Sequence, residues 1–217
     1  MSNYERSTRE IRRPDRHLIE RARRYSSATL HEASGQRGAL PSAIKPIAPE
    51  FKICGPAVTV LSPPRDNLWL HRALYVAVPG DVLVVDVGGV YEAGYWGDVL
   101  TQAAMQRGLG GLVIDGCVRD GERLRELGLP IFSRGLCIKG TTKDKAAVGA
   151  INCPIRIGEV PIFAGDLAVA DGDGAVIISQ DDINKTLNQA EAREEKEEQV
   201  LHELYSGKRT LELYKLD

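Results

Sequence analysis

"GYWGDVLTQAAMQRGLGGLVIDGCVRDG", residues 94–121, holds a whole helix-and-strand unit. Gly97 breaks the chain, residues 97–107 read as a helix, and "GLVIDG" (111–116) is a short apolar strand. A second helix is predicted over 121–127. The same alternation continues on both sides. Upstream, Pro63 and Pro64 interrupt the chain before a helix over 67–76 and the buried strand "DVLVVDV" (81–87); downstream comes the strand "PIFSRG" (130–135). Helices alternating with apolar strands predict an α/β layer with parallel pairing.

Further out the texture changes. Residues 14–34 are helical, with Leu18, Ile19, Ala22 and Tyr25 on one side and a second short helix over 29–33 that stops at Gly35. "LPSAIKPIAP" is a proline-broken connection, and "KICGPAVTVLS" (52–62) alternates as a strand. Beyond Val148 several short strands form a β-rich layer. There Asp171-Gly172-Asp173-Gly174 reads as a hairpin turn, because the sixth position of a calcium loop needs glycine and holds Val176. A helix over 181–206, capped by Asp181 or Asp182, ends at Gly207. Its middle, "EAREEKEEQ", has no large apolar side chain, as expected of a solvated helix or of one that lays carboxylates on a neighbouring subunit.

The 217 residues are 43% apolar and 27% charged, enough for one domain spanning 1–217 with a helical tail. Basic residues number 28 and acidic ones 30, a formal charge of -2, so no global field attracts nucleic acid or an anionic bilayer. The locally basic "ERSTREIRRPDRHLIERARR" interleaves carboxylates and reads as a solvated amphipathic helix start. Cys54, Cys117, Cys137 and Cys153 form no C-x-x-C pair and are expected to be buried free thiols. With no targeting segment or membrane span in view, the expected location is the cytoplasm.

Chemistry concentrates in the opening stretch. Asp98 follows Gly97 at a helix start, where the N–H groups of Asp98, Val99 and Leu100 form a site for a carboxylate or phosphate; a plain N-cap is the alternative. Arg119 and Asp120 fall at the carboxyl end of a strand, the usual ligand edge of an open α/β sheet, though a structural ion pair or helix cap would use the same residues. A short return turn would bring Asp98 to Arg119. A guanidinium, helix N–H donors and two carboxylates able to hold a hard divalent cation then suit an α-keto acid. His71, in "LWLHRAL", reads locally as a packed histidine, and Cys117 has no paired base.

At these residues the chain resembles the metal-dependent 4-hydroxy-4-methyl-2-oxoglutarate / 4-carboxy-4-hydroxy-2-oxoadipate aldolases, within the wider RraA-like family. The resemblance runs through "ATLHEASGQRGAL", "GPAVTV", "PPRDNLWLHRAL", "GYWGDVL", "GGLVIDGCVRD", "PIFSRG", "GDLAVADGDGAVII" and the tail. Its most specific element is Asp98, twenty intervening residues, then Arg119-Asp120. It implies an α/β sandwich of the swivelling-domain kind, assembled as a homotrimer or homohexamer with active sites between subunits. Asp120 would bind Mg2+ or Mn2+, and Arg119 would hold the keto oxygen and stabilise the enolate. The amides of the Gly97–Leu100 run would take the carboxylate, with Val99 where the family has leucine.

Asp98 would order a water, His71 matches an active-site histidine, and Glu197 best matches the acid from the adjacent subunit, with Glu194 and Glu198 in neighbouring register. The implied reaction is retro-aldol cleavage to pyruvate, with oxaloacetate decarboxylation through the same enolate. RraA-type regulators, which bind a ribonuclease, lack the acid after the arginine; Asp120 favours enzyme chemistry over that reading. A lysine Schiff base is disfavoured because Lys139 and Lys143 lie outside the motif, and the substrate's distal groups fall to loops around Arg65 and Tyr91. A methyltransferase reading finds no G-x-G-x-x-G loop in "VVDVGGVYEAG".

Overall fold

A computed structural model describes residues 11–216. The first part of the basic N-terminal stretch, "ERSTRE", lies outside them. In chain order come α1 (Arg16–Ala22), α2 (Ser27–Ala33), β1 (Lys45–Pro46), β2 (Ile53–Leu61), α3 (Leu68–Ala73), β3 (Val82–Asp86), α4 (Asp98–Gln106), β4 (Gly111–Ile114), α5 (Gly121–Leu127) and β5 (Ile131–Ser133). The strands β6 (Ala150–Ile151), β7 (Ile155–Ile157), β8 (Val160–Ile162), β9 (Leu167–Asp171) and β10 (Gly174–Ile178) follow, then α6 (Ile183–Tyr205) and α7 (Thr210–Leu213).

One sheet runs in the order β1-β5-β4-β3-β2-β9-β10, with β6 paired on β2. The pairs β2–β3, β3–β4 and β4–β5 are parallel, as the helix–strand alternation predicts, while β9, β10, β6 and β1 join antiparallel. Ala39 bridges to Val176 on β10, and a few residues on Lys45 pairs with Ser133 on β5, so the 39–46 connection nearly closes the sheet into a barrel. That connection reads in sequence as a loop because two prolines hide its pairing.

Both faces of the parallel strands are buried, which is why they read as continuous apolar runs. Val58, Val60, Leu83, Val85, Leu112 and Ile114 point to one side, where Trp69, Leu70, Leu100, Ala104 and Leu124 of α3, α4 and α5 cover them. Ala57, Val82, Val84 and Val113 point to the other, against Ile155, Ile157 and Ile162 of the β7–β8 hairpin. A third cluster joins α1, α2 and the start of α6 to β9 and β10.

Asp171 and Gly174 face each other across a tight β9–β10 turn, the expected hairpin, and Asp171 accepts from the Ser27 amide at 2.7 Å and its hydroxyl at 2.6 Å. The predicted 14–34 helix is split at residues 23–26, where Ser26 caps α2 by accepting from the Thr29 amide. Asp182 is the N-cap of α6 but makes no side-chain cap bond, since a 3-10 turn over Gln180–Asp182 leads into the helix instead. Only Cys117 is buried; Cys54, Cys137 and Cys153 are half-exposed, because they lie at strand ends and loops, so the expectation of four buried thiols is corrected.

Buried residues of α6 are confined to Ile183, Thr186, Leu187 and Ala190. At about 1.5 Å of rise per residue, the rest of the helix extends roughly 22 Å past that anchor. No helix among the described residues is long and apolar enough to cross a membrane.

Candidate active site

Four parallel strands end on the same edge, and the loop or helix after each one supplies a wall of a single cavity of about 160 Å³. After β2 come Asn67 and His71; after β3, Gly94 and the Gly97–Leu100 run; after β4, Arg119; after β5, Lys143. The loops hold one another by backbone bonds. Cys117 N–H donates to Tyr91 O at 2.9 Å, Arg119 N–H to Trp96 O at 2.8 Å, and Cys137 N–H to Val118 O at 2.8 Å. Tyr95 and Trp96 are fully buried beneath the site. The Trp96 indole donates to Thr101 Oγ1 at 2.7 Å, whose hydroxyl donates in turn to Gly97 O at 3.0 Å, fixing the start of α4.

Asp98 and Arg119-Asp120 meet here, as the return-turn argument expects. Asp98 N–H donates to Asp120 Oδ2 at 3.3 Å, and Arg119 Nε lies 3.5 Å from the same oxygen. Gly97 makes this approach possible: a Cβ there would collide with Asp120 Oδ2 and lie 3.3 Å from Arg119 Cγ and Nε. Asp120 is left-handed, with φ 60° and ψ 35°, and stands at the N-cap of α5 without making a cap bond. Its carboxylate accepts from the Asp98 amide instead of capping its own helix, against the plain-cap alternative.

Asp98 is the first residue of α4, not its cap, which is Gly97. Its Oδ1 accepts from the Val99 amide at 2.7 Å. Of the three amides expected to be free, those of Asp98 and Val99 are therefore engaged by carboxylates, leaving Leu100 as the amide with no acceptor among the described residues.

His71 is half-buried on α3, and its imidazolium is disfavoured by burial first and by Lys143 second, with Asp66 opposing; its pKa is lowered from the ordinary 6.5. Glu197 does not reach this cavity in its own chain. It pairs with Arg193 one turn earlier on α6 at 2.9 Å, and Arg193 in turn pairs with Glu32 of α2.

Three participants escape the sequence reading. Asn67 is 7% exposed; its Nδ2 donates to Tyr95 O at 2.9 Å and its Oδ1 has no partner. Lys143 reaches the cavity although its loop is remote from the motif. Asp66 puts it there: Oδ2 accepts from Thr142 Oγ1 at 2.9 Å and from the Asp144 amide at 2.6 Å, on either side of Lys143, while Oδ1 accepts from Leu68 N–H at 2.8 Å. Of the loops around Arg65 and Tyr91, expected to read distal groups, Asn67 and Gly94 line the cavity, while Arg65 and Tyr91 themselves do not. The Arg65 amide donates to the Tyr95 hydroxyl at 2.9 Å, and Tyr91 packs under the Arg134 guanidinium at 3.8 Å.

Asp120 and Asp98 are hard oxygen donors beside a cradle that a Cβ at Gly97 would fill, a fit for a cation such as magnesium that keeps most of its waters. Among the described residues no cluster of three His, Cys, Asp or Glu side chains could hold a metal unaided. A ligand supplied by a second chain would add to that set.

A mixed α/β fold with a nearly closed sheet and a cavity at the carboxyl ends of its parallel strands, lined by an arginine, a lysine and a helix start, has the layout of a small-molecule site. The chain belongs to the RraA-like family, Aldolase/RraA, whose model matches residues 24–177. It is 38% identical over 159 residues to "Putative 4-hydroxy-4-methyl-2-oxoglutarate aldolase" of Halalkalibacterium halodurans, covering 73% of this chain and 75% of that protein. Among solved structures it is similar to Streptomyces coelicolor RraAS2, named an unusual member of the RNase ES inhibitor RraA protein family. The TM-score there is 0.74 at 33% identity, over 87% of this chain and 98% of that one. An uncharacterized protein from Pseudomonas syringae pv. tomato matches with a TM-score of 0.80 at 26% identity, over 94% and 100% of the two chains.

Proposed function

We propose that this chain is a divalent-metal-dependent pyruvate aldolase that cleaves 4-hydroxy-2-oxo acids to pyruvate and a second keto acid, with oxaloacetate decarboxylation as a side activity. The observation that carries it is the convergence of Asp98, Arg119 and the Leu100 amide on one cavity, with the Asp120 carboxylate against the Asp98 amide and turned away from its own helix cap. The relative named for 4-hydroxy-4-methyl-2-oxoglutarate supports the substrate class.

The 2-oxo acid head lies with its carboxylate at the Leu100 amide, joined by that of Val99 when Asp98 releases it, near the positive end of α4. Arg119 donates to the keto oxygen. Loss of the C4 hydroxyl proton turns that oxygen into a carbonyl as the C3–C4 bond breaks, and the bond's electrons pass through C3 to the C2 oxygen. Negative charge grows there only as the bond breaks, so a guanidinium already in place lowers the barrier selectively. Protonation at C3 releases pyruvate. Asp98 positions the water that exchanges these protons, and His71, held neutral near pH 7, adds a hydrogen-bonding group without a charge.

A Mg2+ or Mn2+ ion held by Asp120, Asp98 through water, and Glu197 of a neighbouring copy would supply Lewis acidity beside the keto oxygen. The projecting α6 supports an assembly, a homotrimer or homohexamer in a cytoplasmic setting, in which one copy completes another's site.

The test is pyruvate release from 4-hydroxy-4-methyl-2-oxoglutarate and from oxaloacetate, with magnesium or manganese and again with excess chelator. Metal-dependent release that chelator reversibly removes is the expected result. No release from folded protein would overturn the reading and favour the regulator class named for RraAS2.

A further inference from the structure

The first turn of α4 carries the Val99 and Leu100 amides and the Asp98 carboxylate, and Gly97 joins it to the chain before it. Glycine is required at that joint because a Cβ would collide with Asp120 Oδ2. It is also the residue whose backbone is least restricted, so the close approach leaves a soft joint where the site has most need of a fixed geometry. Before the joint the chain is fastened to its surroundings. Tyr95 N–H donates to Cys117 O at 3.1 Å, Asn67 Nδ2 to Tyr95 O at 2.9 Å, and Arg119 N–H to Trp96 O at 2.8 Å. After it comes the helix.

A side-chain bond spans the joint. The Trp96 indole N–H donates to Thr101 Oγ1 at 2.7 Å, and Thr101 Oγ1 donates to Gly97 O at 3.0 Å, where the Thr101 amide also donates at 3.1 Å. Indole nitrogen offers no acceptor, so the hydroxyl proton points onward to Gly97 and the chain of bonds has one sense. Trp96 is 1% exposed and Thr101 0%, which shields both bonds from solvent. Trp96 thereby holds both halves of the pyruvate-head site, Arg119 through its carbonyl and α4 through its ring.

We propose that Thr101 is a positioning residue for enolate stabilisation: its hydroxyl, bridging Trp96 and Gly97, braces the glycine joint and fixes the α4 amides relative to the Arg119 guanidinium. This rests on the pyruvate-head reading of that end of the cavity. A brace of this kind counts most for the species with negative charge on the C2 oxygen, because donors already in place need not rearrange as that charge develops. The keto acid, whose C2 oxygen is neutral, gains less from it. The hydroxyl therefore acts on the discrimination between enolate and keto acid, and much less on the binding of the carboxylate that both share.

The experiment compares Thr101→Val, which keeps the branched shape and removes the hydroxyl, with Thr101→Ser, which keeps the hydroxyl. Each is titrated calorimetrically, with magnesium present, by pyruvate and by oxalate, whose second carboxylate puts a charged oxygen where the enolate oxygen forms. Thr101→Val is expected to lose at least about tenfold in oxalate affinity and less than about threefold in pyruvate affinity. Thr101→Ser is expected to stay within about threefold of wild type for both. Trp96→Phe removes the donor at the other end of the brace without stranding a buried N–H, and the same selective loss is expected of it, so the test stands even where Thr101→Val fails to fold. Equal losses for the two anions, or a lowered melting temperature with both affinities kept, would overturn the positioning role while the head site stands. Wild-type protein that binds neither anion would overturn the head-site reading, and the brace with it.

Discussion

One wall of the cavity hangs from regular elements, and the other hangs from a buried carboxylate. Gly97–Leu100 is the first turn of α4, and Arg119-Asp120 joins the end of β4 to the start of α5, so ordinary helix and strand geometry brings them together. Lys143 instead belongs to a loop, and it reaches the cavity because Asp66, 78 residues before Asp144, accepts hydrogen bonds on both sides of it. The difference teaches that a cavity wall can be set by element geometry or by one buried side chain. Arg119 and the Gly97–Leu100 run stand on rigid elements, and Lys143 stands on a loop that the Asp66 carboxylate fixes on both sides.

The largest expected effect separates the walls outright. Arg119→Ala and Asp120→Asn are each expected to lower kcat for pyruvate release by at least about 10²-fold, with melting temperature nearly unchanged, since both side chains are partly exposed. Asparagine is chosen because it tolerates the left-handed backbone at position 120. Activity near wild type in either folded variant would remove that wall from the mechanism.

Gly97→Ala sharpens the same point. The extended backbone at Gly97, φ -151°, accepts alanine without strain, so the added methyl acts through its clash with Asp120 Oδ2. Turnover should fall by about 10-fold to 10²-fold with folding preserved, read by kinetics and thermal melts together. On the other wall, Asp66→Asn leaves buried donors poorly matched and should cost about 1–3 kcal/mol in urea unfolding.

The smallest effect is a titration. Burial and then Lys143 both disfavour the His71 imidazolium, so its folded pKa lies below the ordinary 6.5. The sign follows: neutral above that range, His71 contributes stability at pH 7 that is lost as pH falls below 6.5 toward the folded value. Lys143→Met removes one of the two causes, so the His71 resonance in NMR should titrate closer to 6.5 than in wild type. An unmoved titration would contradict the electrostatic coupling of Lys143 to His71 across the cavity.

Legibility in the sequence follows the same division. The parallel strands announce themselves through apolar runs such as "VLVVD", because both faces of the sheet are buried there, and the helix 121–127 through its own pattern. The two-residue strands β1 and β6 carry too few side chains for any period, so the near-closure of the sheet through 39–46 is illegible. Asp98, Arg119 and Asp120 can be placed because one helix–strand crossover separates them. Lys143 cannot, since nothing local marks a loop lysine whose position is set by a carboxylate far up the chain. The bonds of Val99 and Asp98 N–H to neighbouring carboxylates are likewise hidden, because a helix start shows which amides are orphaned but not which side chains claim them.

The most direct measurement is hydrogen exchange at the methyl group of pyruvate in D2O, followed by proton NMR with magnesium present, because it needs no knowledge of the full substrate. Enolate formation at the Arg119 wall should wash out the methyl signal in the presence of wild-type protein, and Arg119→Ala should slow that loss by at least about 10²-fold. A methyl signal that persists at the uncatalysed rate with folded, magnesium-supplied wild-type protein would contradict the account at its centre.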